Sequence, residues 1–99
     1  MATFITLANF TDQGIRTVKE SPHRAEAFTA LAAKVGLTVK SLYWTVGSYD
    51  IVVVSEGTDE AAMTALLATG QLGNVRTQTL RAFNASEMQK IINNIPASK

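Results

Sequence analysis

The chain reads as an α+β domain of order β-α-β-β-α-β with one further helix, and three observations predict it. Two β-rich runs, Leu37 to Val46 and Tyr49 to Glu56, are separated only by Gly47-Ser48, the mark of a hairpin. A segment of helical spacing lies on each side of that pair. Outside those segments stand two more runs, Thr3 to Phe10 and Val75 to Phe83, with the residue types of strands.

From Thr3 to Phe10, aromatic, β-branched and small residues follow one another without a charge, which predicts a mostly buried strand ending near Asn9. Thr11 or Asp12 supplies an oxygen for the free amides of a helix start, and the stretch through Glu20 spaces its charges along an exposed face, with Gly14 weakening the helix. Ser21-Pro22 predicts a fresh N-cap with proline at the first helical position, hence a kink or restart. Ala25, Phe28, Leu31, Ala32 and Val35 recur at three- and four-residue spacing, so the next segment is an amphipathic helix closed by Gly36.

Glycine first in a two-residue loop permits the positive φ of a type II′ turn, so Gly47-Ser48 predicts a tight antiparallel hairpin. Gly57 to Asp59 supply turn and capping chemistry. Ala61 to Thr69 is rich in helix formers, with Met63, Leu66 and Leu67 on the side expected to pack on the sheet. After Gly70 and Gly73, the alternation of Val75 to Phe83 reads as the fourth strand. Asn84 to Ser86 cap a final helix running to about Ile95, which Pro96 and the polar tail end.

Two right-handed β-α-β connections make this order a ferredoxin-like sandwich, with both helices on one face of the sheet. Counting outward from Gly47-Ser48 sets Val46 opposite Tyr49, Trp44 opposite Ile51 and Leu42 opposite Val53, an apolar face assigned to the helices. The reverse face carries Thr45 opposite Asp50, Tyr43 opposite Val52 and Ser41 opposite Val54. It is too apolar for open water, and a second copy meeting it face to face would make a dimeric α/β barrel around a small lumen.

The chain has 99 residues, of which 46% are hydrophobic and 17% charged. One domain over residues 1–99 with one core is expected, since a chain of this length buries roughly two-thirds of its unfolded surface. So few ionic groups again point to apolar surface hidden in a homodimer or higher homo-oligomer. With no cysteine there are no disulfides, thiolate nucleophiles or zinc-thiolate sites, and a cytoplasmic location is the simplest reading. The start, Met1-Ala2-Thr3-Phe4-Ile5, has neither a basic region nor a long apolar run, so no signal peptide or membrane association is expected. A net charge of +1 lacks the electrostatic footprint of a nucleic-acid binder.

The hairpin residues Gly47, Tyr49 and Asp50 resemble the GYD domain family, which is named for that triplet. The likeness extends over nearly the whole chain, through Leu7-Ala8-Asn9-Phe10-Thr11-Asp12-Gln13-Gly14, Ser21-Pro22 with Arg24-Ala25-Glu26-Ala27-Phe28, Leu42-Tyr43-Trp44-Thr45, Gly73-Asn74-Val75-Arg76-Thr77 and Leu80-Arg81-Ala82-Phe83. It implies a ferredoxin-like domain of the dimeric α/β-barrel group, and it names a fold more than a function. The hairpin is also similar to that of the effector-binding domain of leucine-responsive regulators, which bind amino acids between dimers.

Candidate ligand-binding residues follow from the open face. Asp50 is placed to accept hydrogen bonds from a ligand or serve as a desolvated base, although an aspartate beside a hairpin commonly bonds backbone amides or a hydroxyl such as that of Thr45. Tyr43 points to the open face and lines either a pocket or an interface. Tyr49, beside Val46 and Trp44 in the register above, reads as a core ring with its hydroxyl at an edge, and as a phenol available to a ligand otherwise. Arg76 and Arg81 fall on opposite faces, so at most one meets the lumen, and Arg76 joins Tyr43, Thr45, Asp50 and Tyr49 as a ligand candidate. His23, the only histidine, falls in the first turn of a helix, where exposure is its ordinary fate, and a multi-histidine metal site is excluded.

No catalytic residue, metal or cofactor is indicated. The leading function is a small-molecule-binding or oligomeric scaffold domain with a pocket at a homodimer sheet interface. The alternatives are a cofactor-independent enzyme of oxygenase or isomerase type using Tyr43, Asp50 and His23, and an amino-acid-effector-like regulatory module acting on a DNA-binding partner.

Overall fold

The uncharged run Ala2–Phe10 forms β1, an interior strand of the sheet in this computed structural model, which describes residues 1–97. β1 pairs antiparallel with β3 (Ile51–Gly57) on one side and with β4 (Val75–Ala82) on the other, and β2 (Thr38–Trp44) lies beyond β3. The strand order is β2-β3-β1-β4, the order a ferredoxin-like connection produces.

Phe4, Thr6 and Ala8 of β1 and Val53, Ser55 and Gly57 of β3 are buried on one face, which carries the helices. The core joins Phe4 and Leu37 to Ala32 of one helix and Ala61, Ala62 and Ala65 of the other. Burying the Phe4 and Leu37 side chains contributes roughly 1.5–3 kcal/mol each. The alanines contribute by letting the two helices approach closely.

The stretch expected to run as one helix to Glu20 is broken. Thr11 caps α1 (Asp12–Arg16) through its hydroxyl, which accepts from Gly14 N–H at 3.0 Å, and a 3₁₀ turn, Val18–Glu20, follows. Gly14 serves packing: a Cβ there would lie 1.9 Å from the carbonyl oxygen of Asn74. Ser21 is not the N-cap of α2 (Ser21–Lys34). Glu20 occupies that position, and Ser21 is itself helical at φ −56°, ψ −42°. Its hydroxyl instead accepts from Trp44 Nε1 at 2.9 Å, tying the helix start to β2. Gly36 ends α2 as expected, with φ at +91°, while Gly36 N–H donates to Ala33 and Leu37 N–H to Ala32, the two bonds of a Schellman closure.

The hairpin keeps the expected register, with Trp44↔Ile51, Tyr43↔Val52, Leu42↔Val53 and Ser41↔Val54. Its connection is wider than a two-residue turn. The ladder stops at Trp44 and Ile51, one further bond joins Thr45 N–H to Asp50 O at 2.8 Å, and the loop bends through Val46 to Ser48. A register shift between Val39 and Ser41 leaves Lys40 as an extra residue, which turns Val39 toward the core while Ser41 and Tyr43 stay on the open face.

Thr58 caps α3 (Asp59–Gly70) by accepting from Ala61 N–H at 3.1 Å. The packed side of α3 is the alanine side. Met63 and Leu67, expected to face the sheet, are 59% and 65% exposed, because close helix packing selects Ala61, Ala62 and Ala65 for the contact. The last helix, α4 (Ala85–Asn93), starts at a capping box between Asn84 and Glu87. None of its residues is buried, and Met88, Ile91 and Ile92 line one exposed apolar side. The chain extends 58 Å along its longest axis, and its radius of gyration of 15.8 Å exceeds the roughly 13 Å of a compact domain of this length. The polar tail beyond Ala97 lies outside the described residues.

Candidate functional site

The register arranges the open face in rows across the sheet. One row runs Tyr43, Val52, Leu7, Gln78, and the next runs Ser41, Val54, Ile5, Leu80. The four aliphatic side chains in the middle are half-buried, while Tyr43 and Leu80 are 61% and 42% exposed. Toward the β2–β3 loop this apolar centre gives way to polar groups, where Asn9 pairs with Arg76 and Asp50 follows the last β3 pair. A greasy middle with a hydrogen-bonding rim is the composition of a contact surface.

The β2–β3 loop shapes that rim. Gly47 takes φ of +117°, a conformation that side-chain-bearing residues rarely adopt. The Thr45 hydroxyl donates to the carbonyl of Tyr49 at 2.6 Å. Asp50 stitches the loop to β1: its N–H donates to Ala8 O at 2.9 Å, and its carboxylate Oδ2 accepts from Phe10 N–H at 2.9 Å. The Tyr49 hydroxyl donates to Gln78 Oε1 on β4 at 3.3 Å, so the side chain reaches over β1 on the open face. The two-residue register had placed that ring among Val46 and Trp44; the wider loop ends strict alternation at Ile51 and lets Tyr49 turn the other way.

Tyr43, Thr45, Asp50, Tyr49 and Arg76 therefore lie toward one end of the open sheet, Tyr43 and Thr45 at its β2 edge and Arg76 at the opposite, β4 edge. Gln78, which receives the Tyr49 hydroxyl, joins them, and parity along β4 was enough to place it there. His23 is set apart, exposed in the first turn of α2. Arg81 lies on the helix side of β4, with its guanidinium 4.6 Å from the ring centre of Phe83 and 5.8 Å from that of Phe4. Among the described residues, no three His, Asp or Glu side chains come together to hold a metal ion. The arrangement offers recognition chemistry: an aromatic ring, an amide, a guanidinium and a carboxylate around aliphatic surface.

A concavity lies between the layers. It measures about 340 Å³, has a floor that includes Thr6, Leu42 and Val53 and a roof that includes Phe28, Leu31 and Leu66, and is almost wholly apolar. Sequence reasoning missed it: the threonine in the core-facing row and the alanines on the helix above are small, but the separation of the two layers is written in neither element.

Against known proteins, the GYD domain model matches residues 4–92. The chain is 36% identical over 90 residues to a protein of Thermus thermophilus named "Glutamine synthetase and cystathionine beta-lyase binding protein", covering 89% of this chain and 95% of that one. Among solved structures, a feast or famine regulatory protein from M. tuberculosis complexed with L-methionine superposes with a TM-score of 0.61 at 18% identity. The match covers 86% of this chain and 52% of the regulator, so the chain spans about half of that protein. A crystal structure of a protein from Thermus thermophilus aligns with a TM-score of 0.51 at 26% identity, over 86% of this chain and 96% of that one. The regulator establishes likeness of fold, whereas the match over residues 4–92 takes in all of the sheet but the first two residues of β1, together with the Gly47, Tyr49, Asp50 loop just described: the chain belongs to the GYD domain family.

Proposed function

We propose that this chain is an oligomeric binding module. Two copies pair through their open sheet faces as a dimeric α/β barrel, and the rim residues Tyr43, Thr45, Tyr49, Asp50 and Arg76 line a pocket where the faces meet. The observation that carries this reading is the contiguous apolar centre formed by Ile5, Leu7, Val52 and Val54, flanked by the exposed Tyr43 and Leu80. Strands of seven to nine residues, spaced ~4.8 Å apart and rising ~3.3 Å per residue, give a face of roughly 500 Å² in projection. Side-chain relief enlarges that surface toward the ~800 Å² per partner of an ordinary interface.

The name of the relative supports a binding role and suggests the partner class, enzymes of amino-acid metabolism. The experiment has two parts. Light scattering at micromolar concentration is expected to show a dimer or larger, and Val54→Asp, which plants a charge in the apolar row, is expected to yield a folded monomer. Immobilised wild-type protein is then expected to retain purified glutamine synthetase or cystathionine β-lyase from its own organism. A monomeric wild-type chain overturns the pairing; retention of neither enzyme overturns the partner class.

A further inference from the structure

The open face leaves the inter-layer cavity unused. We infer that this cavity, inside a single copy, is a binding site for a neutral and mostly apolar small molecule of about ten to fourteen non-hydrogen atoms bearing one hydroxyl or carbonyl. The size follows from the volume. An apolar cavity of about 150 Å³ holds benzene, so the 340 Å³ here accommodates roughly twice as many atoms.

The chemical class follows from the lining. Phe28, Leu31, Leu42, Ile51, Val53 and Leu66 offer carbon surface from both layers. Of the polar side chains that also border the space, Arg24, Asn74 and Ser21 have partners of their own, and Thr69 and Thr77 add only neutral hydroxyls. The Arg24 guanidinium donates to Thr17 O and Oγ1 at 3.1 and 3.0 Å and to Gly14 O at 3.1 Å, while Asn74 Oδ1 accepts from Gln13 Nε2 at 2.9 Å. Ser21 accepts from Trp44. A zwitterionic amino acid entering here would find no carboxylate among the lining residues for its ammonium group, at a cost apolar contact does not offset.

A buried polar handle is built into the floor. The buried Thr6 hydroxyl shares a 2.9 Å hydrogen bond with that of Thr79. Whichever of the two donates, Thr6 keeps the capacity for one more bond, as acceptor or donor, and can meet a single ligand hydroxyl or carbonyl.

The site belongs to the inside of one copy and is independent of pairing through the open sheet. The test is an amide NMR titration with 1-naphthol, with L-methionine as the charged comparator. Saturable shifts centred on Thr6, Phe28, Leu42 and Val53 are expected for 1-naphthol and not for L-methionine. Ala25→Phe, and separately Leu66→Phe, fill the space from the two helices and are expected to weaken binding at least tenfold while the spectrum stays dispersed. Thr6→Val is expected to weaken it about threefold to tenfold. The Val54→Asp variant is expected to bind as the wild type does, which separates this outcome from that of the dimer. Absence of saturable shifts, equal binding of L-methionine, or full binding by both filled variants overturns the site.

Discussion

The carboxylate of Asp50 accepts the backbone N–H of Phe10 at 2.9 Å, so a loop side chain continues the ladder of β1 past its last pair with β3, Ala8↔Ile51. Asp50→Ala removes the acceptor from a half-buried amide and is expected to lower stability by about 1–2 kcal/mol. Asp50→Asn keeps an oxygen there and should lose less than half of that. Urea unfolding of the three proteins checks the ordering; equal midpoints would detach Asp50 from the fold.

Trp44 and Ser21 are joined by the only indole in the chain and a hydroxyl that is 4% exposed. Trp44→Phe leaves that hydroxyl buried without its donor, while Ser21→Ala removes the acceptor. A double-mutant cycle by chemical denaturation is expected to give a coupling of about 1 kcal/mol.

Gly14→Ala would set a methyl group 1.9 Å from the Asn74 carbonyl oxygen, against backbone that carries its own bond from Thr11 N–H at 3.1 Å. Neither side yields without breaking the contact between α1 and the turn before β4. A loss of about 2 kcal/mol or more is expected, read as a fall in Tm of roughly 8 °C or more. Intrinsic helix propensity alone predicts the opposite sign.

Asn84→Ala opens the capping box at the start of α4 by removing the oxygen that accepts from Glu87 N–H at 2.8 Å. Such caps contribute about 1 kcal/mol to their helix. Because no residue of α4 is buried, the effect should be local. Amide exchange is expected to quicken across Ala85–Asn93 and stay unchanged in β1 and β3.

Much of the framework was legible because its signals are local. The uncharged run of β1, the spacing of Phe28, Leu31, Ala32 and Val35, and the glycine after α2 each constrain their own few residues. The hairpin register survived an error in the loop, since Trp44, Leu42, Ile51 and Val53 form one apolar set that a slip of one residue would turn outward. Ser21 was misread because the N-cap pattern is also satisfied by a serine whose hydroxyl is taken by a distant tryptophan. Met63 and Leu67 were misread because hydrophobicity marks what favours burial, whereas the side of α3 that meets the core is the one carrying Ala61, Ala62 and Ala65. The candidate rim residues were named from parity, yet Tyr49 lies beyond the last strand pair, where parity no longer applies.

Order of elements, strand pairing across the hairpin and the presence of an apolar second face were set by the chain itself, through periodicity and backbone preferences that act over a few residues. The reach of Tyr49 to Gln78, the need for glycine at position 14 and the unfilled space above Thr6 were decided only when distant segments met. They depend on separations of a few ångströms between elements, and no pattern within one element encodes such a distance.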